Sequence, residues 1–191
     1  MANSLEEPKY DVLKSYDEVE VRYYHPVIQA RVPLASNNKS ANGFKTLAGF
    51  IFGDNIGNNA ISMTAPVQED IYTDKPTMAF TMPSQYSLET LPVPNNANVE
   101  IISLPARVVA VIPFSGWATD GKVKRYTNQL QQTLETVKLD TLSNPKLNQY
   151  NPPWTLPVFR RNEIMIEIQW GTEHHLTSDR RSTIDTSLAA Q

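Results

Sequence analysis

Residues able to do chemistry are sparse in this chain, and the first group is Tyr23-Tyr24-His25-Pro26, at the end of an alternating run. A histidine beside a proline is commonly a turn residue, and tyrosines at a strand end commonly pack against a core or its rim. Imidazole and phenolate groups can also ligate haem iron. The sequence alone leaves both interpretations open for Tyr23 and His25.

The second group is the charged run Arg160-Arg161-Asn162-Glu163. Such a run is typical of an ion pair that locks the end of a strand. A half-buried guanidinium can also receive a carboxylate from a ligand, because its two N–H edges match the two carboxylate oxygens. His174-His175 lies in a polar tail, and we interpret that pair as incidental.

Composition and missing motifs exclude several classes of function. The chain has no cysteine, which removes disulfides, thiolate metal sites and cysteine nucleophiles. It has no phosphate-binding glycine loop, no G-x-S-x-G and no H-E-x-x-H. The net charge is −3 and no basic patch is visible, so nucleic acid is not an expected partner. No apolar run reaches the ~20 residues of a membrane helix, so we expect no membrane insertion and a cytoplasmic protein.

The first half of the chain predicts four strands around one short helix. The helix is expected over about Ala41–Phe52, with an apolar stripe formed by Phe44, Leu47, Ala48 and Ile51. Phe50 and Phe52 lie off that stripe, so the helix is apolar on more than one side. We therefore expect a partner or a ligand to cover the second apolar side. The four predicted strands are Glu18–Tyr24, Ile28–Leu34, Ile61–Val67 and Thr77–Met82, and the first two can also form one strand with a bulge at His25-Pro26.

The second half repeats this layout. Strands are expected at Val99–Leu104 and Arg107–Phe114, followed by a helix over about Asp120–Lys138 with Thr119 or Asp120 as its cap. In the last segment Ile164, Ile166, Ile168 and Trp170 alternate with polar residues, which predicts a half-buried strand that closes a sheet or barrel. Because helices do not alternate strictly with strands, we predict an α+β fold with mainly antiparallel pairing.

Several motifs together resemble the SOUL haem-binding protein family. They are ISMTAPV at Ile61–Val67, FTMPSQYSLETLPVP at Phe80–Pro94 and YNPPWTLPVFRRNEIMIEI at Tyr150–Ile168. The resemblance spans roughly Tyr10–Ile168. We therefore expect one domain over residues 10–171 with halves of about 10–90 and 95–171, a loose N-terminus over 1–9 and a disordered tail over 172–191.

The resemblance implies a fold and a function. The fold is a distorted antiparallel β-barrel flanked by two helices, with pseudo-duplicated βαββ-like halves as in GyrI-like proteins. Family members bind haem or other tetrapyrroles non-covalently in a shallow apolar cleft beside the first helix, without established catalysis. This implies a carrier or buffer; the alternatives are a haem-modifying enzyme and a ligand-sensing or protein-interaction module.

The resemblance also implies site residues. The positions facing the porphyrin plane fall on Ala41, Phe44, Leu47 and Ala48, and Met63 suits the same apolar pocket. A histidine proposed as iron ligand in one family member falls on Tyr23. His25, two positions further on, keeps the same side-chain direction on an extended strand and is the expected metal ligand.

Overall fold

The structure is a computed structural model that describes residues 5–35 and 39–171. The expected tail over 172–191, with His174-His175, lies outside the described residues. The strands are β1 (Tyr10–Tyr16), β2 (Val19–Tyr24), β3 (Val27–Pro33), β4 (Val67–Asp70), β5 (Thr77–Thr81), β6 (Glu100–Leu104), β7 (Arg107–Ser115), β8 (Lys146–Gln149) and β9 (Arg161–Glu167). The helices are α1 (Lys39–Ile51) and α2 (Asp120–Thr136), and a short 3-10 helix spans Pro157–Phe159.

The nine strands of the described residues form one curled half-barrel sheet. Their order is β1-β2-β7-β9-β8-β4-β5-β3-β6, and every neighbouring pair is antiparallel. Helix α1 packs on β3 and β5, and helix α2 packs on β7 and β9. The predicted α+β class, the distorted antiparallel barrel and the two flanking helices are confirmed.

The internal duplication is visible as two strand–strand–helix–strand–strand units, β2-β3-α1-β4-β5 and β6-β7-α2-β8-β9. They meet where β4 pairs with β8. Each unit places its first strand against the other unit, since β2 pairs with β7 and β6 pairs with β3. The two halves of the chain are therefore interlocked within one sheet.

The two faces of the sheet differ in chemistry. The face under the helices carries two apolar clusters, one beneath α1 and one beneath α2. The opposite face, here called the inner face, carries buried polar side chains, including Arg22, Gln68, Asn148 and Glu163. The inner face also carries a small buried apolar cluster formed by Tyr24, Val109, Val111 and Met165.

Two strands were absent from the sequence-based prediction. Strand β1 lies at the edge of the sheet and is largely exposed, so its residues show no apolar alternation. Strand β8 is only four residues long, and its polar residue Asn148 is buried. A pattern-based prediction fails at both places because burial there does not follow hydrophobicity.

The predicted strand Ile61–Val67 is wrong over residues 61–66, since β4 begins only at Val67. The backbone N–H of Ile61 donates to the carbonyl of Ile51 at 2.7 Å, and the Thr64 hydroxyl donates to the carbonyl of Thr81 at 2.5 Å. The Ala65-Pro66 peptide bond is cis. These hydrogen bonds hold residues 61–66 against α1 and β5, although the segment forms no β-ladder.

The last strand also differs from expectation. β9 lies inside the sheet between β7 and β8, and both of its faces are buried: Glu163 and Met165 on one, Ile164 and Ile166 on the other. The expectation of a half-buried closing strand is therefore corrected. Polar and apolar residues alternate along β9 because the inner face of the sheet carries polar side chains. These polar side chains are nevertheless buried.

Candidate functional site

Helix α1 presents a small apolar surface to solvent. Ala41, Phe44 and Ala48 share one side of the helix at i, i+3 and i+7, and we call them the α1 ledge. Ala41 is exposed, Ala48 is half-buried, and Phe44 is 43% exposed. The Phe44 ring meets the buried Phe80 ring edge to face, with centroids 5.4 Å apart. The core therefore holds the only aromatic ring of the ledge in a fixed orientation.

The other two apolar residues predicted for the site lie behind the ledge. Leu47 is fully buried in the cluster beneath α1, and Met63 is half-buried against the same cluster. Phe50, predicted to lie off the main stripe, is also in this cluster, whereas Phe52 is 73% exposed. The buried side of α1 is thus formed by Gly43, Leu47, Phe50 and Ile51, and Phe44 stands at its margin.

Gly43 allows α1 to approach the sheet closely. A Cβ atom at this position would lie 2.4 Å from Cδ2 of Leu34. The close approach brings the Phe44 ring within reach of Phe80, so a residue without a side chain supports the geometry of the ledge.

The charges near the ledge are mixed. Lys45 is exposed next to Phe44 in the helix. At the far end of α1, a Cβ on Gly49 would lie 4.0 Å from a carboxylate oxygen of Asp54. A carboxylate of a bound ligand would therefore find a counter-charge at Lys45, in the middle of α1, and repulsion at Asp54, beyond the C-terminal end of the helix.

Tyr23 and His25 lie next to each other where β2 ends and the chain turns into β3, outside the α1 ledge. Tyr23 is half-buried near the end of β2, and His25 is in the two-residue link to β3. Their rings meet edge to face with centroids 5.4 Å apart. The His25 Nε2 atom lies 2.9 Å from an Asp11 carboxylate oxygen, and both side chains are largely exposed. This contact fixes one nitrogen of the imidazole and leaves Nδ1 as the other candidate donor atom.

His25 also borders a recess of about 300 Å³. The recess lies beneath a segment that we call the strap, Glu6–Lys9, and has both apolar and polar walls. Its lining includes Ile28, Met82, Thr64, Tyr86, Ser84 and Ser103. The volume is at the lower end of the roughly 300–1,000 Å³ found for small-molecule pockets.

Hydrogen bonds and an ion pair hold the strap against the rest of the fold. The Ala65 N–H donates to the Glu6 carbonyl at 2.9 Å, and the Ser84 N–H donates to the Glu6 carboxylate at 2.8 Å. Arg161 forms an ion pair with Glu7 at 2.7 Å. Sequence patterns gave no signal for this segment because its contacts use backbone groups and charges.

The ledge and the recess are separate surfaces, and the apolar cluster beneath α1 connects them. Ile28 and Met82 belong to the apolar cluster beneath α1 and also line the recess. Among the described residues that line the recess, however, none comes from α1. The predicted residues thus divide between two places: Ala41, Phe44 and Ala48 on the ledge, and His25 with Tyr23 beside the recess.

The charged run of β9 forms a buried network on the inner face. Nη1 of Arg22 donates to both carboxylate oxygens of Glu163 at 3.1 Å, and the Tyr150 hydroxyl donates to the same carboxylate at 2.6 Å. Burial and the neighbouring Glu163 raise the pKa of Tyr150, and the same two causes raise the pKa of Tyr24. Burial alone would lower the pKa of Arg22. Glu163 and the other partners of Arg22 raise this pKa by more, so it lies above its usual value. Glu163 therefore has its negative charge matched within the protein.

Comparison with solved structures shows how widely this fold occurs. The C-terminal domain of EcmrR superposes with a TM-score of 0.61 at 11% identity, covering 85% of this chain and 99% of that one. An uncharacterized conserved protein from Listeria innocua gives 0.61 at 10% identity, covering 80% and 92%. A hydrolase from Listeria innocua gives 0.57 at 11% identity, covering 82% and 94%.

At these identities the similarity establishes the fold alone. The curled sheet with two helices is the GyrI-like architecture. No curated protein sequence matches the chain. The family model described as SOUL heme-binding protein matches residues 5–167, which are nearly the whole chain. The chain belongs to the SOUL haem-binding protein family.

Proposed function

We propose that the protein binds haem or a related tetrapyrrole non-covalently, as a cytoplasmic carrier or buffer and not as an enzyme. The observation that carries the proposal is the α1 ledge: an exposed phenylalanine, fixed by a buried aromatic neighbour, with small alanines on either side. Family membership supports a tetrapyrrole as the ligand.

The ledge fits one face of a planar macrocycle. Ala41 and Ala48 leave space above the helix, so a flat ring can lie over Phe44 without meeting larger side chains. Covering apolar surface contributes about 25 cal/mol per Å², and aromatic contact adds about 0.5–1.5 kcal/mol. Lys45, next to Phe44 in the helix, would pair with a propionate.

His25 and Tyr23 are the proposed iron ligands, and bound haem would supply a redox-active iron. Within the described residues no group of three or more His, Cys, Asp or Glu side chains is placed to hold a metal ion. Because His25 and Tyr23 lie beside the recess and Phe44 lies on the ledge, a haem resting on the ledge and an iron ligated by His25 or Tyr23 are alternative modes of binding, and separate tests distinguish them.

The test of ring contact is a haemin titration followed by the Soret band and tryptophan quenching. Phe44→Ser should weaken binding about tenfold, since loss of an aromatic contact costs about 1.4 kcal/mol or more. Phe52→Ser is the matched control, because Phe52 is an exposed phenylalanine immediately after the same helix. No Soret change at micromolar haemin, or equal loss in both variants, would refute the proposal.

The test of iron ligation is the absorption spectrum of the haem-loaded protein. If His25 ligates the iron, His25→Ala shifts the Soret maximum while Tyr23→Phe leaves it in place, and the reverse result assigns the ligand to Tyr23. Addition of a reductant separates a carrier from a haem-modifying enzyme, because only an enzyme would lose the Soret band with formation of product. A panel of other planar amphiphiles tests whether tetrapyrroles are preferred.

A further inference from the structure

The recess beneath the strap has a roof that is tied at both ends. The Ala65 N–H donates to the Glu6 carbonyl at 2.9 Å, and the His25 N–H donates to the Lys9 carbonyl at 3.2 Å. Glu6 also forms a parallel β-bridge with Thr64. These contacts hold the strap over a space of about 300 Å³, so the protein itself fixes the shape of the recess.

Part of the wall of the recess is apolar. Ile28 and Met82 reach the recess from the apolar cluster beneath α1. Pro26, Val27 and Pro83 line the same space. Met82 and Pro83 are buried, and Val27 and Ile28 are half-buried. A hydrocarbon chain covered by these side chains would gain about fourfold in affinity for each methylene group.

The polar part of the wall offers hydroxyl groups without protein partners. Ser84, Tyr86 and Ser103 line the recess, and none of their hydroxyls forms a hydrogen bond with another residue in the described part of the chain. Each of these hydroxyls can donate one hydrogen bond to a ligand oxygen. Tyr86 also packs against the cluster beneath α1, so its ring joins the apolar and the polar parts of the wall.

Lys9 is the charged group of the wall that has no partner among the described residues. The Glu7 carboxylate accepts from two nitrogens of Arg161, at 3.3 and 2.7 Å, and the Glu6 carboxylate accepts a backbone N–H at 2.8 Å. His25 lies 2.9 Å from a carboxylate of the protein. The exposed Lys9 ammonium forms no ion pair or hydrogen bond with a described residue. Lys9 is therefore free to pair with an anionic ligand, whereas both carboxylates of the wall are already engaged.

The volume of the recess limits the size of its ligand. A water molecule in the liquid takes about 30 Å³ and a methylene group takes a similar space, so 300 Å³ holds about ten non-hydrogen atoms. A whole tetrapyrrole is several times larger. A ligand of the recess is therefore different from one that lies on the α1 ledge.

We propose that the recess binds the anion of a small carboxylic acid with an aliphatic chain. The carboxylate would pair with Lys9 and accept hydrogen bonds from the free hydroxyls, and the chain would cover Ile28 and Met82. An aliphatic amine of the same size would instead place its positive charge beside Lys9. The inference concerns a second ligand and does not depend on the proposed haem function.

NMR titration of the isotope-labelled full chain with sodium octanoate tests the inference, because octanoate has a carboxylate and a chain of this size. The amide signals of Ile28, Ser84 and Ser103 should shift with a Kd of about 0.1–1 mM, which lies within the range of affinities for ligands of about ten non-hydrogen atoms. The neutral 1-octanol should bind about fivefold more weakly, and n-octylamine more weakly still.

A series of chain lengths tests whether the recess encloses the chain. The affinity should rise about fourfold for each methylene group from hexanoate to octanoate. It should level off before dodecanoate, because a longer chain has no further space in the recess.

Two variants test where the ligand lies. Lys9→Gln should weaken octanoate binding about fivefold and leave 1-octanol binding unchanged, because only the acid uses the charge. The matched control is Lys124→Gln, which alters an exposed lysine of α2 outside the lining of the recess and should change neither affinity. Ser103→Phe adds a ring to the wall from the edge strand β6 and should abolish binding of both ligands. Spectra recorded without ligand report whether each variant is folded.

The inference would be overturned by the absence of shifts at millimolar octanoate, or by shifts confined to residues outside the recess. Equal affinities for octanoate and n-octylamine, or equal losses in Lys9→Gln and Lys124→Gln, would also overturn it. An affinity that keeps rising about fourfold per methylene group up to dodecanoate would show that the chain binds outside the recess.

Discussion

At the scale of single residues, the inner face depends on one buried carboxylate. Glu163 is 2% exposed and accepts hydrogen bonds from Arg22 and Tyr150. A buried charge is tolerated only when it is paired, because desolvation of an unpaired ion costs several kcal/mol. The sequence placed Arg160, Arg161 and Glu163 in one motif, and Arg161 pairs with Glu163 at 3.4 Å, but the closer partner, at 3.1 Å, is Arg22, 141 positions away.

Glu163→Gln should therefore destabilise the fold by about 3–5 kcal/mol, since it removes the buried one of the two carboxylates that pair with Arg22. Urea unfolding measures the change. The control is Glu20→Gln, because Glu20 also pairs with Arg22, at 2.7 Å, but has a side chain that is 36% exposed. Loss of that exposed partner should cost about 1 kcal/mol or less. Equal losses of stability in Glu163→Gln and Glu20→Gln would contradict the assignment of Glu163 as the buried partner of Arg22.

The raised pKa of Tyr150 predicts that the free energy of unfolding falls as the pH becomes alkaline. Because its pKa is raised in the folded state, its contribution is complete below the unfolded pKa of about 10 and is lost as pH rises from there towards the folded pKa. Tyr150→Phe should reduce the fall in unfolding free energy above pH 10 by about 1.4 kcal/mol per pH unit. Tyr72→Phe, which alters an exposed tyrosine, is the control. An identical alkaline slope in the wild type and Tyr150→Phe would refute the prediction.

At the scale of elements, the helices show how far local sequence determines structure. α2 begins at Asp120, and its cap is Thr119, whose hydroxyl accepts from the Lys122 N–H at 3.4 Å. Its apolar spacing and its cap are both local, so both could be predicted. α1 was predicted equally well in extent, but which of its phenylalanines is buried depends on the sheet beneath it.

Thr119→Ala should cost about 1 kcal/mol, because a helix N–H loses its acceptor. Thermal unfolding should show a decrease of about 2–4 °C for a chain of this size. Thr119→Ser keeps the hydroxyl group and should restore most of the loss. If serine and alanine destabilised equally, the hydroxyl would not be the capping group.

At the scale of the whole molecule, exchange of strands joins the two halves. β2 completes the sheet of the second unit and β6 that of the first, while β4 and β8 pair between them. Separating the halves would expose β3 and β7 as unpaired edges. We therefore expect the chain to unfold as one cooperative unit, and neither half to fold alone.

Hydrogen exchange with mass spectrometry tests this expectation. Amides of β3, in the first half, and of β9, in the second, should open with the same free energy, and a fragment of residues 1–95 should show no protected amides. Two distinct opening free energies, or a protected fragment, would show that the halves are independent.

The sequence by itself determined the class of fold, the family, the two helices and most of the strands, because these depend on local periodicity and on motifs. It also identified Phe44, Tyr23 and His25 as candidate residues. Only the tertiary structure decided that Phe44 and His25 lie on different surfaces, that Glu163 pairs with Arg22, and that the strap covers a recess. These relations join residues far apart in sequence, and they arise from the order of the strands and the curl of the sheet, which no local pattern encodes.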